Sequence, residues 1–297
     1  MSMQREVAFY SDGLRIAGIY YLPDDLAPGE RRPAVLCLDG YSGLKDTYLL
    51  PVPERLAREG YVALAIDHRG FGKSEGARGK LMPFGQAQDA MDAITFLQQQ
   101  PEVDPQRIGL YGTSFGGGTV AWVAGTDRRA KCVVSVVPVA DGERWQRSLR
   151  AHWQWLEFLR EVEEDRRQRV LTGSSRRVGL DVIMPCDPHG TRAVAELYRP
   201  AENLPEGYPL ENIDATLTWR PEERAHLISP RPILIIGCER DGVAPVVEAE
   251  SLYAKAREPK RLVVIPDAYH HDVYRGINPQ VFETVMQETL AWFRAYL

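Results

Sequence analysis

The sequence predicts an α/β fold in which helices cover both faces of a mostly parallel, doubly wound sheet. Short apolar runs such as PAVLCLDG at 33–40 alternate with segments of helical spacing such as GQAQDAMDAITFLQQQ at 85–100. Strands that are buried on both faces have this continuous apolar character. A chain of 297 residues is long enough for one such domain that carries an insertion.

The elements of the first half follow in a regular order. Two strands flank the Asp12-Gly13 turn and predict a β-hairpin. Apolar runs predict further strands, and segments of helical spacing that end at glycine or polar residues predict the helices between them. The strands are expected at 33–40, at 61–76 (running into a glycine-rich loop), at 107–112 and at 131–140, and the helices at 47–60, at 85–100 and directly after the third of these strands.

The alternation stops at residue 141 and resumes near residue 229. The segment between them is rich in Arg, Glu and Trp and has helical spacing, with one further candidate strand at 178–184. A strand at 231–242, a helix, a strand at 260–268 and a closing amphipathic helix at 282–297 follow it. We therefore predict that residues 1–140 and 229–297 form the core and that residues 141–228 form a helical cap inserted over one end of the sheet.

The composition excludes several function classes. The net charge is −5, and the sequence contains no stripe of basic residues, so we expect no nucleic-acid partner. No apolar run reaches the ~18 residues of a spanning helix, and the N-terminus lacks the apolar core of a signal peptide, so we expect a cytoplasmic protein without a membrane partner. The four cysteines form no CxxC pair and suit a reducing compartment. We expect no metal and no other cofactor. The sequence leaves open whether the protein forms a homodimer.

Gly112-Thr113-Ser114-Phe115-Gly116 fits the pattern G-x-S-x-G, with a strand before it and a helix start after it. A sharp turn between strand and helix forces an uncommon backbone angle on the serine and leaves no room for side chains on either side. Gly112 and Gly116 supply that room. A serine that only caps the helix would not need both glycines. The pattern therefore predicts a nucleophilic Ser114.

A serine nucleophile needs a base, and the base needs an orienting carboxylate. In hydrolases with this turn the three follow in the order serine, acid, histidine. Asp241 lies just after the apolar run ILIIG, and Glu239 is close enough to replace it. His270 lies just after LVVI, and His271 competes with it. Each pair stands where a loop leaves the carboxyl end of a strand.

The segments DHRGFGKSEG, DPQRIGLYGTSFGG, GCERDGVAP and YHHDVYRG resemble a bacterial serine esterase branch of the α/β-hydrolase superfamily. That branch is related to dienelactone hydrolases and to X-Pro dipeptidyl-peptidase-type enzymes. The resemblance implies an α/β-hydrolase fold with Ser114 as nucleophile, Asp241 as acid and His270 as base. It also implies that the loop DHRGFGKS (67–74) is structural, with its charges holding the loop beside the site.

The oxyanion of an acyl-transfer reaction is stabilised by fixed backbone N–H groups. One donor is expected from Phe115, the residue after the nucleophile. The resemblance places the second at Tyr41, in the stretch Asp39-Gly40-Tyr41-Ser42-Gly43, where the family has H-G-x-x-G. Asp39 departs from that pattern. It either holds the loop as an Asx-turn or lies at the substrate pocket, where its charge would bind a cationic or hydroxyl group of the substrate.

Aromatic residues are frequent in the predicted cap. Most such side chains pack protein cores, and the remainder could line an apolar pocket over the serine. We assign Trp153 and Trp155 to the substrate pocket as a hypothesis. An apolar pocket suits a small organic ester or an aromatic acyl group.

The predicted function is a serine hydrolase that cleaves a carboxylic ester or a related acyl bond through an acyl-enzyme on Ser114. The same machinery would also serve a C–C bond hydrolase, an amidase or peptidase, or an acyltransferase. A non-catalytic binding protein of this fold is the alternative from another class. The presence of serine, acid and histidine in the right order argues against it.

Overall fold

The computed structural model describes residues 3–198 and 204–297. The strands in this part of the chain are β1 (Met3–Ser11), β2 (Leu14–Leu22), β3 (Arg32–Leu38), β4 (Val62–Ile66), β5 (Val103–Thr113), β6 (Ala130–Val136), β7 (Arg177–Val178), β8 (Tyr208–Pro209), β9 (Ile233–Cys238) and β10 (Lys260–Ile265). Eight of these described strands form one sheet in the order β1-β2-β4-β3-β5-β6-β9-β10.

The sheet is antiparallel at one edge and parallel elsewhere. β1 pairs with β2 and β2 with β4 in antiparallel register. From β4 onward every neighbouring pair is parallel. The loops that leave β3, β5, β9 and β10 at their carboxyl ends therefore meet at the same edge of the sheet, where ligands of open α/β sheets bind.

Helices cover both faces of the sheet. They are α1 (Pro51–Arg58), α2 (Pro83–Gln98), α3 (Phe115–Thr126), α4 (Gly142–Ser148), α5 (His152–Thr172), α6 (Leu180–Ile183), α7 (Pro188–Tyr198), α8 (Glu211–Leu217), α9 (Val247–Lys255) and α10 (Pro279–Tyr296). Alternate residues of one strand point to opposite faces. Leu36 of β3 joins the apolar cluster of α2 and α3, whereas Val35 joins the cluster of α1 and α10. The predicted doubly wound α/β fold is confirmed.

Residues 141–228, hereafter the inserted segment, lie between β6 and β9 and contain α4 to α8. The prediction of a strand at 178–184 was wrong over most of its length. Only Arg177–Val178 is extended, and it pairs with Tyr208–Pro209. Leu180–Ile183 forms a helical turn that buries Ile183. A short apolar run fits both periods, and the packing of Ile183 selects the helix here. The division into core and cap stays a prediction.

Side chains join the inserted segment to the sheet. Arg144 of α4 forms an ion pair of 2.6 Å with Glu248 of α9 in the core, and another of 2.7 Å with Glu222 within the inserted segment. Glu248 also accepts hydrogen bonds from the backbone at the start of the inserted segment. The Trp145 indole N–H donates to the Val243 carbonyl at 2.7 Å. The start of the inserted segment therefore has a fixed position on the core.

Cys37, Cys132 and Cys238 are buried, Cys186 is half-buried, and all four are free thiols. Among the described helices none has the length and apolar character needed to cross a membrane.

Candidate active site

Ser114 lies at a strained turn between β5 and α3. Its backbone has φ 58° and ψ −120°, a conformation that is uncommon for a residue with a side chain. Its N–H donates to the Val136 carbonyl at 2.9 Å. A Cβ on Gly112 would lie 2.2 Å from the Gly116 carbonyl oxygen, and a Cβ on Gly116 would lie 2.3 Å from the Asp39 carbonyl oxygen. The turn therefore requires both glycines.

Loops from two distant strands bring an imidazole and a carboxylate to this serine. His270 Nε2 is 3.0 Å from Ser114 Oγ, and His270 Nδ1 is 2.7 Å from Asp241 Oδ2. The other oxygen of Asp241 accepts the N–H groups of Val243 at 2.9 Å and Ala244 at 2.6 Å. All three side chains are buried. This arrangement can pass the serine proton to a histidine that the carboxylate orients.

The structure does not bring the competing residues to these positions. Glu239 is exposed, and its carboxylate accepts the N–H of Asp267 at 2.9 Å. His271 packs its ring edge-on to that of His270, with 5.0 Å between ring centroids. Burial, followed by the positions of His270 and His189, lowers the pKa of His271 to about 2. His271 is therefore a neutral ring, and of the two histidines only His270 pairs with a carboxylate among the described residues, that of Asp241.

The loop after β3 lies directly beside Ser114. A Cβ on Gly40 would be 3.2 Å from Ser114 Cβ. The hydrogen bonds found among the described residues leave the N–H groups of Tyr41 and Phe115 without an acceptor. The Tyr41 ring is buried and meets Phe115 in an edge-on contact of 5.6 Å. The two expected oxyanion donors therefore belong to residues that flank the serine and pack on each other.

Asp39 is buried beneath this loop. Its Oδ1 accepts the Gly40 N–H at 2.7 Å, and its Oδ2 has no hydrogen-bond partner among the described residues. Burial raises the pKa of Asp39 to about 8, and the charge of Asp67 acts in the same direction. Asp39 is not among the residues that line the cavity at Ser114. The structure therefore favours the loop-holding role over a contact with substrate.

The glycine-rich loop after β4 is held to neighbouring loops by hydrogen bonds and ion pairs. Asp67 accepts the backbone N–H of Lys45 at 2.9 Å and of Lys73 at 2.9 Å. The buried Lys45 ammonium lies 3.0 Å from the Asp67 carboxylate. Arg69 pairs with the buried Asp89 at 2.7 Å. These charges hold loops together and do not contact the serine, which fits their predicted structural role.

A small cavity opens on Ser114. Its volume of about 20 Å³ is room for about one water molecule. The lining residues are Gly40, Tyr41, Ser42, Tyr48, Ser114, Met184, Val194, Leu197, His270, His271 and Tyr274. Three of them are apolar side chains from the inserted segment. The spacing of Val194 and Leu197 indicates a helix face, but nothing in the sequence shows that this face meets the serine.

The assignment of Trp153 and Trp155 to the pocket was wrong. Trp153 is 62% exposed on the outer side of α5, and Trp155 is buried against Phe158. Neither lines the cavity at Ser114. Residues two apart on a helix point in different directions. Here the Trp153 side chain points to solvent, and the Trp155 side chain packs inside the inserted segment. Among the described residues no group of His, Cys, Asp or Glu is placed to hold a metal ion.

Comparisons with known proteins identify the family of the chain. The family model described as X-Pro dipeptidyl-peptidase (S15 family) matches residues 12–272. The thiohydrolase aneE of Aspergillus aculeatus is 30% identical over 297 residues, which covers 95% of this chain and 90% of that protein. An uncharacterized 31.7 kDa Escherichia coli protein from the traX-finO intergenic region is 30% identical over 90% of this chain and 92% of its own.

Another relative carries the name GrgF. The polyketide transferase grgF of Penicillium sp. is 27% identical, covering 88% of this chain and 87% of that protein. The crystal structure of the α/β hydrolase GrgF from Penicillium sp. sh18 matches with a TM-score of 0.81 at 22% identity, covering 99% of both chains. The resemblance recognised in the sequence motifs is confirmed. The chain belongs to the X-Pro dipeptidyl-peptidase (S15) family, within the α/β-hydrolase superfamily.

Proposed function

We propose that the chain is a serine hydrolase that cleaves an ester or thioester bond of a small organic substrate through an acyl-enzyme on Ser114. The observation that carries the proposal is the continuous contact from Ser114 Oγ to His270 Nε2 and from His270 Nδ1 to Asp241. Buried and mutually bonded groups of this kind are characteristic of nucleophilic sites.

The reaction follows from the positions of these atoms. His270 Nε2 takes the proton as Ser114 Oγ attacks the acyl carbon, and the N–H groups of Phe115 and Tyr41 stabilise the oxyanion. The imidazolium then gives the proton to the leaving alcohol or thiol, and the acyl group stays on the serine. Water then attacks the acyl-enzyme while His270 accepts its proton, which releases the acid and restores Ser114. Asp241 keeps the Nδ1–H of His270 oriented and stabilises its charge.

The substrate class rests on the cavity wall and on the relatives. Met184, Val194 and Leu197 present apolar surface to the serine. A relative of 30% identity is named a thiohydrolase, which adds thioesters to the esters expected from the sequence. Amide and C–C bond hydrolysis remain further reactions of the same machinery.

Acyl transfer is the second candidate. A relative is named a polyketide transferase. In this reaction an alcohol, thiol or carbon nucleophile of a second substrate would take the place of water at the acyl-enzyme.

A fluorophosphonate probe tests the proposal. We expect labelling of the purified protein, with the modified peptide containing Ser114, and loss of labelling and hydrolysis in Ser114→Ala. Ser174→Ala is the matched control, because Ser174 is an exposed serine of the inserted segment. Labelling that persists in Ser114→Ala would show that another residue is the nucleophile.

A substrate panel separates the two candidates. p-Nitrophenyl esters, acyl thioesters and anilides are compared by kcat/KM, and products are analysed with and without an added alcohol acceptor. Free acid as the main product supports hydrolysis, whereas ester product at low acceptor concentration supports transfer.

A further inference from the structure

His271 is a buried polar group that the proposed reaction does not use. Its ring forms part of the wall of the cavity at Ser114. The side chain is 5% exposed, and its Nδ1 has no hydrogen-bond partner among the described residues. Most buried side-chain nitrogen atoms in proteins have a partner, and each exception needs an explanation. A group of the substrate can supply the missing partner.

The ring is held in place by its neighbours. It packs against the His270 ring at 5.0 Å and against the Tyr274 ring at 6.2 Å between centroids. The short helix His270–Val273 sets its backbone, and the His271 carbonyl accepts the Tyr274 N–H at 3.1 Å. Because His270 lies 3.0 Å from Ser114 Oγ, a group bonded to His271 would lie close to the bond that reacts.

The protonation state of the His271 ring determines which groups it can bind. Burial lowers the pKa of His271 to about 2, so the ring is uncharged near neutral pH. A neutral imidazole offers one N–H donor and one acceptor nitrogen. It cannot pair with a carboxylate as a cation would, but it can bond a hydroxyl or a carbonyl oxygen.

The apolar side chains of the cavity wall would contact the apolar part of the substrate. Met184, Val194 and Leu197 come from the inserted segment, whereas His271 comes from the loop after β10. A hydrocarbon group is stabilised by contact with the three apolar side chains. The same substrate would satisfy His271 if it also carried a hydroxyl or carbonyl oxygen besides those of the scissile bond.

We propose that His271 determines specificity by forming a hydrogen bond to an uncharged oxygen of the substrate, so that the substrate is an apolar ester or thioester with a hydroxyl or keto group near the scissile bond. This inference rests on the proposed function of Ser114. The oxygen belongs either to the acyl part or to the alcohol or thiol part, and the test distinguishes the two.

The test compares matched substrates on the wild-type protein. One series has p-nitrophenyl butanoates with a hydroxyl at successive chain positions, beside the plain ester. The other has butanoate esters of diols and of the matching simple alcohols. We expect kcat/KM to be at least about 10-fold higher for a hydroxylated member of one series, the size of one well-made hydrogen bond in a buried site. A preference below about twofold throughout both series would overturn the proposal.

Two variants assign the preference to His271. His271→Phe retains a ring of similar shape without nitrogen atoms and should reduce the preference by about 10-fold. His271→Gln retains a donor and an acceptor and should restore part of it. A preference that survives in His271→Phe would overturn the role of His271. Fluorophosphonate labelling of the same samples keeps the two proposals apart, because unlabelled wild-type protein contradicts the proposed function itself.

Discussion

The core and the inserted segment contribute to the candidate active site by different means. Residues of the core hold their positions through the backbone: Ser114 has a positive φ, and Gly112 and Gly116 have no space for a side chain. The inserted segment contributes Met184, Val194 and Leu197, which stand on short helices or loops. Its attachment depends on side-chain contacts such as the ion pair of Arg144 with Glu248.

This difference separates the chemistry from the selection of substrate. A site that is fixed by backbone strain tolerates few substitutions, because a misplaced nucleophile loses its reaction geometry. A wall of apolar side chains can change its shape with single substitutions at small cost to the fold. We therefore expect substitutions in the core to reduce catalysis for every substrate, and substitutions in the pocket wall to change the order of substrates.

The largest effect should follow from the loss of the base in the core. We expect His270→Ala to reduce kcat by about 10⁴-fold, because Ser114 then keeps its proton. The reduction should be the same for short and long acyl esters. His226→Ala is the control, since His226 is exposed in the inserted segment. A reduction that depends strongly on acyl length would contradict the separation of roles.

The two tryptophans of α5 test how the inserted segment is held. Trp155→Ala should lower the free energy of unfolding by about 3–5 kcal/mol, because it empties a buried site. Trp153→Ala should change it by less than about 0.5 kcal/mol, since Trp153 is 62% exposed. Chemical denaturation of both variants measures the difference. Equal losses of stability would mean that the outer face of α5 is also packed.

Asp39 tests whether the loop beside Ser114 carries a buried proton. The pKa of Asp39 is raised from 3.8 to about 8 mainly by burial. Between these two values the folded protein holds a proton that the unfolded chain has lost, so this residue lowers the stability as the pH rises through that window. Asp39→Asn cannot lose the proton and retains an oxygen for the Gly40 N–H.

The variant should therefore be more stable than the wild type at neutral pH, by on the order of 2–4 kcal/mol. The gain should shrink toward about pH 4. Urea unfolding at several pH values measures it. Parallel curves for the two proteins would show that Asp39 titrates alike in the folded and unfolded states.

The smallest effect is expected at the pocket wall. Leu197→Ala should shift the preferred acyl group toward longer or bulkier esters, with a change of about 10-fold in the ratio of kcat/KM values. Activity toward an acetyl ester should change much less, because a short acyl group makes few contacts with the wall. Ala193→Gly, on the same helix but not at the cavity, is the comparison variant. An unchanged order of substrates would place the acyl group elsewhere.

The sequence by itself determined the order of strands and helices, the strained turn at Ser114 and the two loops that reach it. These features depend on short-range rules: apolar periodicity selects the element, and a turn without room for side chains requires Gly112 and Gly116. The same rules misplaced the strand at 178–184, because a short apolar run fits two periods.

The residue pattern alone left Asp241 against Glu239 and His270 against His271 open; the family resemblance favoured Asp241 and His270, and the tertiary structure brings these two together at Ser114. Each pair leaves the same strand end, and the direction of a loop side chain depends on partners that are far away in sequence. His270 meets a serine 156 positions earlier in the chain. The pocket wall has the same origin. Trp153 and Trp155 looked suitable because they are aromatic, yet the packing of α5 turns one to solvent and buries the other. Met184 and Leu197 reach the serine because the inserted segment folds back over it, and no local pattern encodes that contact.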